Sequence, residues 1–446
     1  MNKLIRPVNF WIRGYTSKTA PCVFCQSRQF SEVPRRQPLH TRSANGRRSF
    51  LKGSELNRKY ATHYRQMPLQ FRGDRRAQNA FFQMAYSDNV LRFQPDAAAS
   101  VIDDFCAASH KAPAENVRAL AAKYKADIED IAVLGLVIQR IPQTSKVASA
   151  PNENDRIARA ILLACVEAKD PYAIIQIMNA VYLSNTLTGA KNITKSFSSV
   201  DLALVRTYFD SMVAANHPNA LTLQGQFLER TGKTNQARAL YEKALQNVGN
   251  WDLTTRFTLS LPNIAPWNAL GNILVSEKDP NLQAQAKAAY EKGVQMDDPL
   301  AYYNLALTED AHNSVWLKGM TKAAASGHTE AMYKLANFYI NLDADKSPLQ
   351  NDGMLAKALN WLTQWKPGSP QKLGREWLSI AAGLGHKPSM LELVKLYEME
   401  GDKERVKGYL QEMTVPPPTG KMEQWPQLVE QAHKRLGVMA RLGKSA

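Results

Sequence analysis

Apolar residues along most of this chain recur at spacings of three and four. From Asp155 onward, Ile157, Ala160, Ile161, Ala164 and Cys165 fall on one face of a helix. No alternation of period two persists anywhere, and no strand–helix–strand signature is present. The pattern predicts helices over Ala77–Phe93 and Ala97–Ser109, and a bent or split one within Ala114–Gln139, ended by Pro142. The longest apolar run, Ile131–Ile138 counting its Gly, reads as a buried helix. It is well short of the roughly 18 to 20 residues that span a bilayer. Gln143–Asn154 is polar, contains Pro151 and reads as a linker. Pro171 suits the first position of a helix that continues to Leu183. The Ser-, Thr- and Asn-rich stretch Ser184–Ser199 predicts a loop.

In the C-terminal half one motif occurs twice. Residues 323–339 read AAASGHTEAMYKLANFY and residues 381–397 read AAGLGHKPSMLELVKLY. Each is the end of one helix, a Gly-containing turn and the start of the next. Such a unit cannot bury its apolar stripe alone and must stack on copies of itself. A second register begins at Pro218. Leu221, Gln224, Gly225 and Leu228 occupy a first helix, and Ala237, Tyr241 and Ala244 a second. Small residues beside a bulky one let two helices approach closely. The set returns as Trp267, Leu270, Gly271 and Leu274 followed by Ala286, Tyr290 and Gly293, and Tyr302, Leu305 and Ala306 open a further unit. Residues 363–372, with Pro367, Gly368 and Pro370, read as an insertion. Asp402–Met413 gives a last second helix, Pro416-Pro417-Pro418 breaks the array, and a helix near Trp425–Leu442 caps it.

These positions resemble the tetratricopeptide and Sel1-like repeat superfamily over residues 200–413. Lys322–His328 and Trp377–His386 are similar to the KAA-x-x-GH turn of Sel1-like repeats. The resemblance implies an all-α fold, an α-α superhelix or solenoid of helix pairs, that binds peptides or proteins on its concave face.

Charge changes the picture at the amino terminus. Met1–Phe30 holds no Asp or Glu but carries Lys3, Arg6, Arg13, Lys18 and Arg28 among apolar and aromatic residues. That is the composition of a mitochondrial transit peptide, residues 1–30. Arg28-Gln29-Phe30-Ser31 resembles a matrix processing site, which places the cut after Phe30. A later cut near Phe50 and a plain basic tail are the alternatives. Of 56 basic and 40 acidic residues, 14 and two lie within the first 65, leaving 42 against 38. The net charge thus falls from +16 to about +4, and the folded body has little claim on nucleic acid. Residues 31–76 form a basic arm with interleaved aromatics. It suits contact with RNA or anionic lipid, or a solvated tether. An N-terminal helical region, 77–199, precedes the repeats, and 414–446 is the break and capping helix.

Candidate chemistry adds little. Cys22 and Cys25 form a CxxC with no second ligand pair nearby, and Cys106 and Cys165 sit singly in apolar helices. His217, His328 and His386 each stand just before a first helix and read as turn residues. No HExxH, phosphate-binding loop, GxSxG or dinucleotide fingerprint occurs. The expectation is a non-enzymatic protein without metal or cofactor.

With the repeat frame applied, positions 5, 9 and 12 of each first helix point into the superhelix. They are Thr222, Gln226 and Glu229, then Asn268 and Asn272, then Tyr333 and Asn337. Amide side chains both donate to and accept from an extended backbone; simple solvent exposure is the competing account. No pair of Lys or Arg is placed to clamp a terminal carboxylate. The reading is a scaffold in the mitochondrial matrix, peripheral to the inner membrane, that binds protein partners. Its nearest analogy is with mitochondrial tetratricopeptide proteins of cytochrome oxidase assembly. An RNA- or mitoribosome-associated factor using the arm is the alternative. Pentatricopeptide RNA readers have a similar period, but the repeated base-reading pair they need is not found.

Overall fold

The computed structural model describes residues 75–141, 153–249, 261, 263–310, 313–342, 357, 361, 368–416 and 423–442. The leader, nearly all of the basic arm, Cys22, Cys25 and Pro417-Pro418 lie outside these. The described residues form 19 helices and no strand. The fold is all-α, built of helices packed against their neighbours in the chain. It divides into two compact units. One comprises the described part of 75–232 together with Leu261 and Asn263; the other comprises 233–249 and the described part of 264–446.

The N-terminal unit holds α1 (Arg75–Ser87), α2 (Pro95–Ala107), α3 (Pro113–Tyr124), α4 (Ile128–Gln139) and α5 (Glu153–Glu167). It continues through α6 (Pro171–Leu183), α7 (Thr188–Lys195), α8 (Ser199–Ala214) and α9 (Pro218–Arg230). The split expected within 114–139 falls at Lys125, whose left-handed φ of 50° ends α3. Asp130 then accepts from the Asp127 backbone N–H at 3.1 Å and opens α4. Asp170 caps α6 ahead of Pro171, accepting from Ala173 N at 2.8 Å. Ser198 and Asp201 form a capping box at α8, and Asp201 also pairs with Arg159 of α5 at 2.6 Å. The stretch expected as a loop at 184–199 contains α7. Leu187, Ala190, Ile193 and Phe197 are buried, and α7 packs on α6, so burial overrides a poor helix composition.

The C-terminal unit holds α10 (Thr234–Gln246), α11 (Pro266–Val275), α12 (Pro280–Gln295), α13 (Pro299–Leu307) and α14 (Ser314–Ala325). It ends with α15 (Thr329–Ile340), α16 (Ser369–Gly383), α17 (Lys387–Met399), α18 (Lys403–Thr414) and α19 (Pro426–Leu442). Helix α16 starts at Ser369, inside the expected insertion, because Pro370 suits a first helical turn. From α10 to α19 each helix packs on the next one in the chain. Glycine sits where the close approach demands it. A Cβ on Gly271 would come within 2.2 Å of the Tyr290 ring, and one on Gly293 within 2.3 Å of Trp267 and 2.4 Å of Ala301.

The repeated Gly-His motif has one structural meaning in both copies. Gly327 (φ 94°) and Gly385 (φ 88°) close the second helix in the left-handed region. The buried His328 and His386 then cap the next first helix, with Nδ1 accepting from Ala331 N at 3.1 Å and Ser389 N at 3.3 Å. An accepting Nδ1 places the ring proton on Nε2, and Nε2 of His386 lies 3.2 Å from Glu330. Tyr303 stacks on His328 with centroids 4.0 Å apart, and Tyr333 tilts against His386 at 5.4 Å. Both tyrosines hold the fifth position of the preceding first helix.

Candidate partner-binding surface

The seven residues expected to line a groove are shared between the two units, and each set is described within its own. Thr222, Gln226 and Glu229 lie on α9. Thr222 is buried and turns its hydroxyl back to the Pro218 carbonyl at 2.8 Å. It faces the interior rather than a groove, as a Thr inside a helix does when its own turn offers an acceptor. Gln226 is also buried, and its Oε1 has no hydrogen-bond partner among the described residues. Glu229 is exposed at the end of α9.

In the C-terminal unit, Asn268 departs from the expectation. It is 1% exposed, and its amide is committed to a buried network. Its Nδ2 donates to Asp298 at 2.6 Å, and its Oδ1 accepts from Asn304 of α13 at 3.1 Å. Trp267 Nε1 donates to the same Asp298 carboxylate, whose other oxygen accepts from Leu300 N at 3.0 Å at the start of α13. Burial pushes the Asp298 carboxyl above its ordinary range, against the pull of these donors. Asn268 therefore joins α11 to α13 instead of facing a partner.

Asn272, Tyr333 and Asn337 are half-buried and reach the surface. Asn272 accepts from the Tyr290 hydroxyl at 2.9 Å, and burial raises the pKa of that phenol strongly. The frame that places Asn272 and Asn337 at position nine places Leu307 there on α13 and Lys395 on α17. Leu307 is 48% exposed while Leu305 and Ala306 beside it are buried. Sequence reasoning passed over Leu307 because a leucine reads as core. Its frame position was the signal that distinguishes it.

Two further amides escaped the reading. Helix α6 is apolar at almost every turn, PYAIIQIMNAVYL, with Gln176 and Asn179 as its polar interruptions three residues apart. Gln176 Oε1 accepts from Leu261 N at 3.0 Å, and Asn179 Nδ2 donates to Leu261 O at 3.4 Å. Asn263 Nδ2 donates to Asn219 Oδ1 of α9 at 3.4 Å. Two amides at that spacing inside an apolar helix were visible in the sequence; their partner 82 to 85 residues away was not.

Among the described residues, no group of three or more His, Cys, Asp or Glu side chains is placed to hold a metal ion. No described helix is long and apolar enough to cross a membrane.

No family model and no curated protein matches the chain. Among solved structures it is similar to c5321, a protective antigen of uropathogenic Escherichia coli that displays an SLR fold. The identity is 14% over 81% of this chain and 79% of that one, with a TM-score of 0.31. A likeness of that size carries no argument about sites, and the class of fold rests on the helix pairing and close Gly contacts described above.

Proposed function

We propose that this protein is a non-enzymatic helical-repeat scaffold of the mitochondrial matrix, peripheral to the inner membrane. It binds protein partners during assembly of a respiratory complex such as cytochrome oxidase. The observation that carries the protein-binding part is the position-nine row. Asn272, Leu307 and Asn337 reach solvent from successive first helices while the positions beside them are consumed by the stack. Two amides around an apolar residue suit a polypeptide, whose backbone needs both donors and acceptors. The acid-free leader supports the compartment, and the analogy with mitochondrial assembly factors supports the pathway.

The test compares two forms in mitochondrial extract at low and high salt. One is the triple variant Asn272→Ala, Leu307→Ala, Asn337→Ala; the other lacks residues 31–76. Loss of partners from the triple variant, with little salt dependence, is the expected result. Partners kept by the triple variant but lost with the arm, and weakening steeply with salt, would reject the groove and favour RNA or lipid. N-terminal sequencing of the mitochondrial protein checks the compartment, and an intact Met1 would overturn the leader.

A further inference from the structure

We infer that α6 and α9 form a second polypeptide-reading site, and that the chain's own Leu261 occupies it in cis. The starting point is the cost of burying amides. A primary amide left unpaired in an apolar interior is destabilising. Gln176 is 6% and Asn179 1% exposed, on a helix whose other residues are apolar or aromatic. Both have the backbone of one residue as partner: Gln176 takes the N–H of Leu261 and Asn179 gives to its carbonyl. Two side chains one helical turn apart thus satisfy both polar groups of a single residue that belongs to no helix or strand. This is recognition of backbone, and it is indifferent to the side chain carried there.

Specificity comes from what surrounds the pair. The Leu261 side chain is 7% exposed, so an apolar anchor is seated beside the bonded backbone. Two residues further on, Asn263 reaches Asn219 at the start of α9. Helix α9 also packs on α6 at their far ends. Phe227 meets Tyr182 edge to face at 5.2 Å, and the Arg230 guanidinium lies 3.8 Å over the same ring while donating to the Tyr182 carbonyl. The chain leaves this unit after Gly232 and rejoins it at Leu261 and Asn263 before α11 starts the other unit's next helix. A linker needs no such return, since loop backbone is normally satisfied by water or by its own turn.

The site therefore fits an extended segment of another polypeptide with a leucine-sized residue at the anchor. A tethered occupant acts at an effective concentration in the millimolar range, so an outside segment binds only in proportion to the fraction of open sites. Leu261 is thereby both a model of the ligand and its competitor. The inference shares with the proposed function only that the ligand is a polypeptide. Its test reads α6 alone, so its failure leaves the position-nine row standing.

The probe is a fluorescent synthetic peptide of residues 256–265, RFTLSLPNIA, added to the full chain. Wild type should bind it weakly. Leu261→Asp, which expels the tethered anchor, should bind at least tenfold tighter. Adding Gln176→Ala and Asn179→Ala to that variant should return binding to the weak level, and a peptide with Asp at the anchor should not bind. A folded Leu261→Asp chain that binds no tighter than wild type overturns the inference. So does tight binding that survives loss of both amides. Leu261→Ala repeats the comparison with a milder change. If neither variant folds, amide exchange in the wild type decides. Excess unlabelled peptide should speed exchange at Leu261 by displacing it, and unchanged exchange at saturating peptide overturns the inference.

Discussion

In the N-terminal unit α5 packs against α3, α4, α6 and α8. In the C-terminal unit α14 packs chiefly on α13 and α15. The difference shows in what each helix hides. Every residue of α5 from Ile157 to Val166 is buried except Arg159, which is half-buried and paired with Asp201. On α14, Trp316, Leu317, Met320, Ala323 and Ala324 are buried, whereas Val315, Lys318, Thr321, Lys322 and Ala325 are exposed. A helix with neighbours all round becomes apolar all round, and a helix in a stack keeps a stripe. The first unit therefore depends on filled volume. The second depends on close approach at a few small residues, which repeats from pair to pair.

Four measurements test this contrast. The largest effect belongs to the enclosed helix. Ile161→Ala should cost about 2–5 kcal/mol, because the fully buried side chain packs on Gly135 of α4 and leaves a cavity. Denaturant melts give the size, and hydrogen exchange should rise across α3, α4, α6 and α8. A loss of protection confined to α5 would show that this unit behaves as a stack after all.

Next comes the buried carboxyl of Asp170, pushed up from 3.8 to about 6 by burial first and by the charge of Glu129. Its folded pKa lies above its unfolded one. Between about pH 4 and 6 the folded state therefore binds more protons than the unfolded state, and stability falls as pH rises through that window. At about 1.4 kcal/mol per pH unit, roughly 3 kcal/mol is lost by pH 7. Asp170→Asn keeps an acceptor for Ala173 N and should recover much of that at pH 7 while flattening the profile. Urea melts from pH 4 to 7 test it, and identical profiles for the two proteins would refute the assignment.

In the stack, Gly293→Ala should cost about 1–3 kcal/mol by overpacking against Trp267 and Ala301. An unchanged melting midpoint would mean that α11, α12 and α13 adjust freely. The smallest effect has the opposite sign. Gly408→Ala, inside α18 with nothing within 4 Å of the added methyl, should stabilise by about 0.5–1 kcal/mol. A loss there would show that close approach extends beyond the glycines at helix contacts.

The two regions also differ in how much of them is legible in the sequence. The frame built on Trp267, Gly271, Ala286, Tyr290 and Gly293 was readable because each stacked pair repeats its local needs. The structure sets Gly271 against Tyr290 and Gly293 against Trp267. Gly225 and Ala237, assigned to one pair by the same logic, are both buried but belong to different compact units. The outward row was read less well. Asn268 looks like Asn272 in phase and chemistry, and only the position of Asp298 separates them; Thr222 and Gln226, read in the same phase, are both buried.

The local order of the chain is written in its short-range signals. The three-and-four spacing, the prolines opening α6, α9, α11 and α13, and the two Gly-His turns set where helices begin, end and pair, since these signals act within a few residues. Tertiary structure alone decided which polar groups are spent inside. It made a helix of 188–195 by burying Ala190 and Ile193, and it committed Asn268 to Asp298. It also brought Leu261 to Gln176 and Asn179 across more than 80 residues. A buried hydrogen bond depends on which partner arrives within about 3 Å, and that is a property of the packed chain rather than of any window along it.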